Sequence, residues 1–284
     1  MTQVLLNGVL LGATYALLAV GYTLVFGVMR LLTLAHGQIF MAAGVVSLVI
    51  TGPGTPFWVA GVCAVAIGAG LSVLTDLLCF RPVGYHRPIP AAVATIGFGL
   101  VIHNVIVQLY GSNAVGAPFE VPRADFTVNG VLVSVVQLVS LLITAVVMVA
   151  THLFVNRTKW GVAMRAFSED PEAVAVLGVP TRWLSALTLG IAGALAGLAS
   201  FLVILRVTSV SPSSGLEIGL IGLAIMTIGG LGSLPGAMAA GIALGVLESV
   251  ADYRGFGFQA AVPWLLLVVV LLVRPRGLLG ARTS

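Results

Sequence analysis

VLLNGVLLGATYALLAVGYTLVFGV, residues 4–28, decides the fold. It carries no charged residue, and as a helix rising 1.5 Å per residue it would be roughly 37 Å long, more than the ~30 Å hydrocarbon core of a bilayer. It is also too long for the apolar centre of a signal peptide, and no lysine or arginine precedes Arg30, so it reads as a retained membrane helix. The rest of the 284-residue chain repeats the pattern. Apolar runs lie near 32–50, 57–79, 89–110, 131–155, 183–205, 216–228, 233–251 and 256–273. With 59% hydrophobic and 8% charged residues, the composition lies far above the roughly 45–50% apolar share of soluble domains. A β-barrel would instead show alternating segments of about ten residues, which are absent.

The sequence therefore predicts an all-α, polytopic membrane bundle of 7–9 segments forming a single domain, 1–284. The 216–228 run is short for a crossing and pairs with 233–251 as a broken or re-entrant unit around GGLGSLPG, 229–236. Small residues four apart, Gly8/Gly12/Ala16, Gly193/Gly197 and Ala237/Gly241/Gly245, predict close helix contacts. Cys63 and Cys79 share one predicted helix about 24 Å apart, beyond disulfide reach.

Basic residues fall on alternate connections: Arg30; Arg81 and Arg87; Arg157, Lys159, Arg165 and Arg182; Arg274, Arg276 and Arg282. Arg123, Arg206 and Arg254 fall on the others, with Glu120, Asp125, Glu217 and Asp252. The positive-inside rule then puts the N-terminus outside and the C-terminus in the cytoplasm.

Absences exclude several chemistries. The one lysine, Lys159, follows Thr158, so the Gly-Lys pair of a phosphate loop is missing, and the glycine run at 229–236 follows no strand. His36, His86, His103 and His152 are scattered singly, without metal-ligand spacing. An enzyme would need a converging acid/base set. An ion-driven carrier would need intramembrane carboxylates, and Asp76 and Glu248 both sit near segment ends, Asp76 as an interfacial anchor near Arg81 and Glu248 snorkelling outward or pairing with Arg206 or Arg254. The remaining polar groups inside apolar runs are candidate pathway residues: His36, Gly37, Gln38, Thr95 and Asn104, with Gly229, Gly230, Gly232 and Ser233 at the break.

Of 13 basic and 9 acidic residues, six lie between Arg157 and Glu172. Within RTKWGVAMRAFSEDPEAVAVLGVP, 157–180, Asp170 reads as an N-cap, Pro171 as the first helical residue, Glu172 as a partner for the dipole, Gly178 as a left-handed terminator and Pro180 as a stop. These define a helix of seven residues, Pro171 to Leu177, too short to be stable alone in water and therefore docked on something. Trp160, Met164 and Phe167 share a face of the preceding turns, with Gly161 allowing close approach and Arg165 and Glu169 four apart.

Five stretches together resemble the LivH-type permeases of bacterial ABC importers for branched-chain amino acids: 5–41, 81–104, 157–180, 229–249 and RPRGLLG at 274–280. The resemblance implies an inner-membrane permease that pairs with a second, homologous permease. It also implies two partner ATPase subunits, which bind the ATP and Mg while this chain binds no cofactor, and a solute-binding protein outside. It places the ATPase-coupling element on Gly161, Arg165, Ala166, Glu169, Asp170, Pro171, Ala173, Leu177 and Gly178. TLAHGQ at 33–38 departs from the family's commoner asparagine-phenylalanine before Ala-His-Gly and acidic residue after it. Amide and urea importers, which share this permease type, are the alternative.

Overall fold

The structure, a computed structural model, describes all residues except 53, 120–124, 129–130, 256–260, 276 and 280–284. Glu120, Arg123, Arg276 and Arg282, and the start of the 256–273 run, lie outside the described residues. In chain order the helices are α1 Thr2–Met29, α2 His36–Ile50, α3 Phe57–Thr75, a single π-helical turn Asp76–Phe80, α4 Arg81–Val83 and α5 Pro88–Tyr110, followed by α6 Val135–Arg157, α7 Lys159–Glu169 and α8 Pro171–Val176. The last four are α9 Thr181–Val207, α10 Ser214–Gly229, α11 Leu234–Tyr253 and α12 Val262–Val273. Six apolar segments are long enough to cross a membrane, counting Phe57–Val83 as one; α2, α10 and α12 are shorter apolar helices. The chain is a multi-pass helical membrane protein.

Two antiparallel strand pairs were not expected. Strand β1 (Val115–Gly116) pairs with β4 (Ser209–Val210), and β2 (Asp125–Val128) with β3 (Val131–Ser134). The 131–155 run thus opens as a strand rich in β-branched residues. Helix α6 starts only at Val135, behind a capping box between Ser134 and Gln137.

Inside lipid, apolar side chains gain little by leaving tails for one another, so helix association rests on close packing and hydrogen bonds. The small-residue repeats supply that packing. A Cβ built on Gly12 would stand 2.7 Å from Gly241 O and Ile242 Cα, one on Gly241 2.6 Å from Ala16 Cα, and one on Gly245 would strike the Gly12 backbone. A second seam joins α3 to α9, where Gly68 meets Gly193 and Gly197 meets the Ala64 carbonyl.

Helix α11 follows α1 from Gly232 beside Gly27 at one end to Val246 beside Gly8 at the other. It therefore runs the length of the longest helix, which favours the broken-helix reading of the pair, with α10 the shorter apolar half. The 32–50 run is corrected. After Arg30, whose left-handed φ of 52° ends α1, residues 31–35 are non-helical and α2 begins at His36, level with Gly21 and Tyr22 of α1.

Over-packing a close seam typically costs about 1–3 kcal/mol. Gly245→Val is expected to lower the thermal midpoint of the detergent-solubilised protein by several degrees. Gly70→Ala should leave it unchanged, since a Cβ on Gly70 meets nothing within 4 Å. Thermal scans read by size-exclusion profile compare the two.

Candidate functional site

Arginine-rich connections gather at one end of the bundle. Here α7 turns sharply off α6, and Gly161 makes the turn possible, because a Cβ there would strike the carbonyls of Phe154 and Val155. Thr158 caps α7 by accepting from Gly161 N at 3.1 Å. The buried face of α7 is Gly161, Met164 and Phe167. Trp160 is not on it; its ring instead packs on Trp183 of α9 at 4.4 Å between centroids.

Arg165 does not pair with Glu169. Its Nη1 donates to Val155 O at 2.8 Å and Asn156 Oδ1 at 3.1 Å, satisfying the carbonyl end of α6. Arg30 Nε likewise donates to Ser168 O at 3.0 Å in the last turn of α7. Two arginines thus brace two helix C-termini, where positive charge is favoured.

Helix α8 carries the caps read from sequence. Asp170 Oδ1 accepts from Glu172 N and Ala173 N, both at 3.0 Å, and Gly178 has φ 81°. The helix is one residue shorter than expected, because Leu177 adopts φ −72°, ψ 3° and closes it. Only Val174 faces the bundle; Ala173 is exposed, and Val176 and Leu177 are 87% and 80% exposed. Ala166 is half-buried, its carbonyl accepting from Asp170 N.

Asp76 was read as an interfacial anchor, but it is 0% exposed. Its Oδ2 accepts from Arg81 Nε at 2.8 Å and Ser185 Oγ at 3.0 Å, and its Oδ1 from Tyr85 Oη at 3.0 Å. A buried carboxylate needs such saturation. The π-helical turn at Asp76–Phe80 begins at this residue. Arg81 also donates to Arg182 O at 3.0 Å, so the cluster ties α3 and the α4–α5 connection to the start of α9. The Tyr85 ring packs edge-on against Phe167 of α7, with centroids 6.1 Å apart. Burial lifts the Tyr85 phenol above its ordinary value and the neighbouring Asp76 charge adds to the lift, so at neutral pH it remains a donor. Sequence spacing showed Asp76 near Arg81, but Tyr85 and Ser185 come from other elements and left no local signal.

The candidate pathway residues separate into two places. Gly230 (φ 106°) and Gly232 (φ 82°) turn the chain between α10 and α11, and Ser233 caps α11 by accepting from Gly236 N at 3.2 Å. Gly229 lies against Gly236, and Gly277 against Gly230, with Leu278 N donating to Ile228 O at 2.8 Å. Gly232 and Ser233 line a cavity of about 320 Å³ with Arg165, Asn156 and His152, so the break sits at the arginine-rich end beside α7.

The other set surrounds α2. His36 is 0% exposed and packs against the Tyr22 ring at 4.6 Å, in the core. Thr95 Oγ1 accepts from Leu34 N at 3.1 Å and donates to Ala92 O at 2.7 Å, pinning the non-helical stretch. Gly37 is a contact residue, its Cα side closed by Gly215 and Gly219 of α10. Gln38 alone of this set lines a second cavity, of about 250 Å³, between α2, α5 and α10. Asn104 lies two turns along α5 from Ile96, a wall residue of that cavity, on the same outward face, and donates from Nδ2 to its own helix at Leu100 O. Glu248, expected to snorkel outward or to pair with Arg206 or Arg254, accepts from Tyr15 Oη at 3.5 Å and also feels the Arg206 charge.

Residues 4–273 match the model of the family described as branched-chain amino acid transport system / permease component. The chain belongs to that family. It is 31% identical to the high-affinity branched-chain amino acid permease BraD of Pseudomonas aeruginosa, over 98% of this chain and 95% of that one. It is equally 31% identical, with the same coverage, to the permease LivH of Escherichia coli K12. A solved metal-chelate type ABC transporter in an inward-facing conformation shares the fold, with a TM-score of 0.55 and 17% identity over 96% of this chain and 87% of that one.

For this permease the ion pair between buried Asp76 and half-buried Arg81 sets a stability test. Arg81→Ala would leave the buried Asp76 carboxylate without its cation; because the Arg81 side chain is itself 29% exposed, the loss is smaller than the ~3–5 kcal/mol of a fully buried pair. Asp76→Asn keeps two acceptor or donor positions and removes the charge. Folded yield and thermal midpoint are therefore expected to fall much further for Arg81→Ala than for Asp76→Asn.

Proposed function

We propose that this permease forms one half of the solute pathway of an ABC importer in the bacterial inner membrane, with its N-terminus outside and its arginine-rich end and C-terminus in the cytoplasm. A second, homologous permease packs on the outward face of α5 and α10. Two ATPase subunits bind ATP and Mg, which this chain does not, and a binding protein delivers solute from outside. The solute is a branched-chain amino acid. The names of the relatives and the aliphatic wall of the α2–α5–α10 cavity support that choice.

The observation that carries the reading is α8: six residues, capped at both ends, offering the exposed side chains of Glu172, Val176 and Leu177 beyond the arginine-rich end. Apolar side chains held out in water on a helix too short to stand alone are suited to a cleft in a partner. The partner is the ATPase, and α7 is the arm that carries the motion. Arg30, Arg165 and the Tyr85–Phe167 contact join that arm to α1, α6 and the Asp76 cluster.

Asp170→Ala removes a cap contribution of about 1 kcal/mol, and Gly178→Val strains a left-handed position. Together they are expected to reduce ATPase co-purification and solute-stimulated hydrolysis at least several-fold while membrane insertion survives. Wild-type values for both would show that α8 is not the docking element. Cysteines at Arg87 and Arg274 should label from the cytoplasmic side only; labelling of the two from opposite sides would overturn the orientation.

A further inference from the structure

The cavity of about 320 Å³ at the arginine-rich end lies where three long apolar helices reach the same level. Its walls come from the last two turns of α1, the last two turns of α6 and the first residues of α11, and α7 adds Arg165. Each of α1, α6 and α11 is long and apolar enough to cross a membrane, so their common end is the level at which hydrocarbon gives way to headgroups. Helices α5 and α10, where the partner permease is placed, contribute no residue to this cavity. Gly27 and Gly232 leave it room, since a Cβ on Gly27 would already stand 3.4 Å from Gly232 Cα.

Arg165 is the one permanently charged side chain on the wall, and no carboxylate lines it among the described residues. It is exposed; its Nη1 is spent on Val155 O and Asn156 Oδ1, while its Nε and Nη2 meet no protein acceptor among the described residues. A guanidinium offers N–H groups in a planar fork that matches two oxygens of a phosphate. Two helix ends lie beside it. The negative end of α6 is already closed by Arg165, and the positive end of the 20-residue α11 begins at Ser233, so the charge at the wall is net positive. Exposed Asn156 donates from Nδ2 to His152 O at 3.0 Å and lies 3.2 Å from the His152 ring, which fixes both side chains next to the guanidinium. Towards the middle of the membrane the surface turns aliphatic. Leu153 and Val149, three and seven residues before Asn156 on the same face of α6, are 49% and 57% exposed, and Ile242, seven residues after Pro235 on α11, is 37% exposed.

We propose that this cavity holds the phosphate group of a phospholipid of the cytoplasmic leaflet, with Arg165 as its cation and the acyl chains against Leu153, Val149 and Ile242. A single cation at the end of apolar spans, with exposed aliphatic side chains leading away from it, matches a headgroup joined to hydrocarbon better than a free anion. The consequence reaches the coupling arm. Arg165 belongs to α7 and closes α6, so a bound phosphate ties the root of α7 to the membrane surface. The site rests on the permease reading above only for the side of the membrane it faces.

The test uses the assembled transporter, delipidated in detergent and titrated with phosphatidylglycerol, with native mass spectrometry reading the tightest-bound lipid per copy of this chain. Wild type is compared with Arg165→Gln and Asn156→Asp. The aspartate keeps an oxygen for Arg165 Nη1, so the brace on α6 survives, and it sets a negative charge beside the guanidinium. Affinity for the tightest-bound phosphatidylglycerol is expected to fall about tenfold in both variants, and an excess of inorganic phosphate should not displace the lipid from wild type. Wild-type affinity in Asn156→Asp overturns the site, and a loss confined to Arg165→Gln would mark that arginine as a structural brace only. Displacement by inorganic phosphate overturns the lipid as the source and assigns the cavity to a free phosphate. None of these results bears on solute uptake, so the permease reading stands or falls separately.

Discussion

The structure depends on backbone meeting backbone at the α1–α11 seam, where Gly8 and Gly12 of one helix lie against Gly241, Gly245 and Val246 of the other with no side chain between them. In water such a seam would be secondary to burying leucines. In a bilayer the lipid tails offer leucine as good a surrounding as another helix does, so contact distance and hydrogen bonding decide which helices associate. The same solution recurs at Gly68, Gly193 and Gly197 between α3 and α9, and at Gly37, Gly215 and Gly219 between α2 and α10. These seams leave α5 and the outer part of α10 with aliphatic side chains facing outward, Leu216 being 64% exposed.

Two working ends hang on that frame. At the arginine-rich end, two helix C-termini that would otherwise present bare carbonyls are closed by side chains from neighbouring elements, Arg165 on α6 and Arg30 on α7, while Arg81 donates to a carbonyl in the first turn of α9. Each bond joins two elements, so α7 cannot shift without moving α1 or α6. The Asp76 cluster extends this to α3 and α9 and meets α7 through Tyr85 and Phe167. Deeper in the bundle, α2 starts only at His36, and Leu34 and Gln38 on either side of that start line the cavity between α2, α5 and α10.

Much of this was legible in the sequence, wherever a signal is local. Each apolar run holds a helix among the described residues, though 32–50 and 131–155 open in other conformations, and the caps of α8 appeared at Asp170 and Gly178, since a cap is read within four residues. The small-residue repeats marked the true seams. Features made by distant residues were not legible. Ser185 reaches Asp76 from 109 positions away, so a carboxylate buried within a four-group cluster looked like an interfacial anchor. Trp160 belonged with Trp183, not with Met164. His36, a polar residue in an apolar run, proved to be core, while Gln38 two positions on faces the cavity; helical phase separates them, and phase could be fixed only once α2's starting residue was known. The break at 229–236 was recognised, yet its depth was set by how far α11 follows α1.

The central claim is that solute passes along the outward face shared by α5 and α10. It is tested most directly by thiol accessibility in the assembled complex, with single cysteines at Leu100, Leu220 and, as a lipid-facing control on α12, Val269. A small water-soluble thiol reagent is predicted to modify the first two at rates that change several-fold between nucleotide-free and ATP-trapped states, and to leave the control unmodified in both. If Leu100 and Leu220 are as inert as Val269 in every state, that face is turned to lipid and the pathway lies elsewhere.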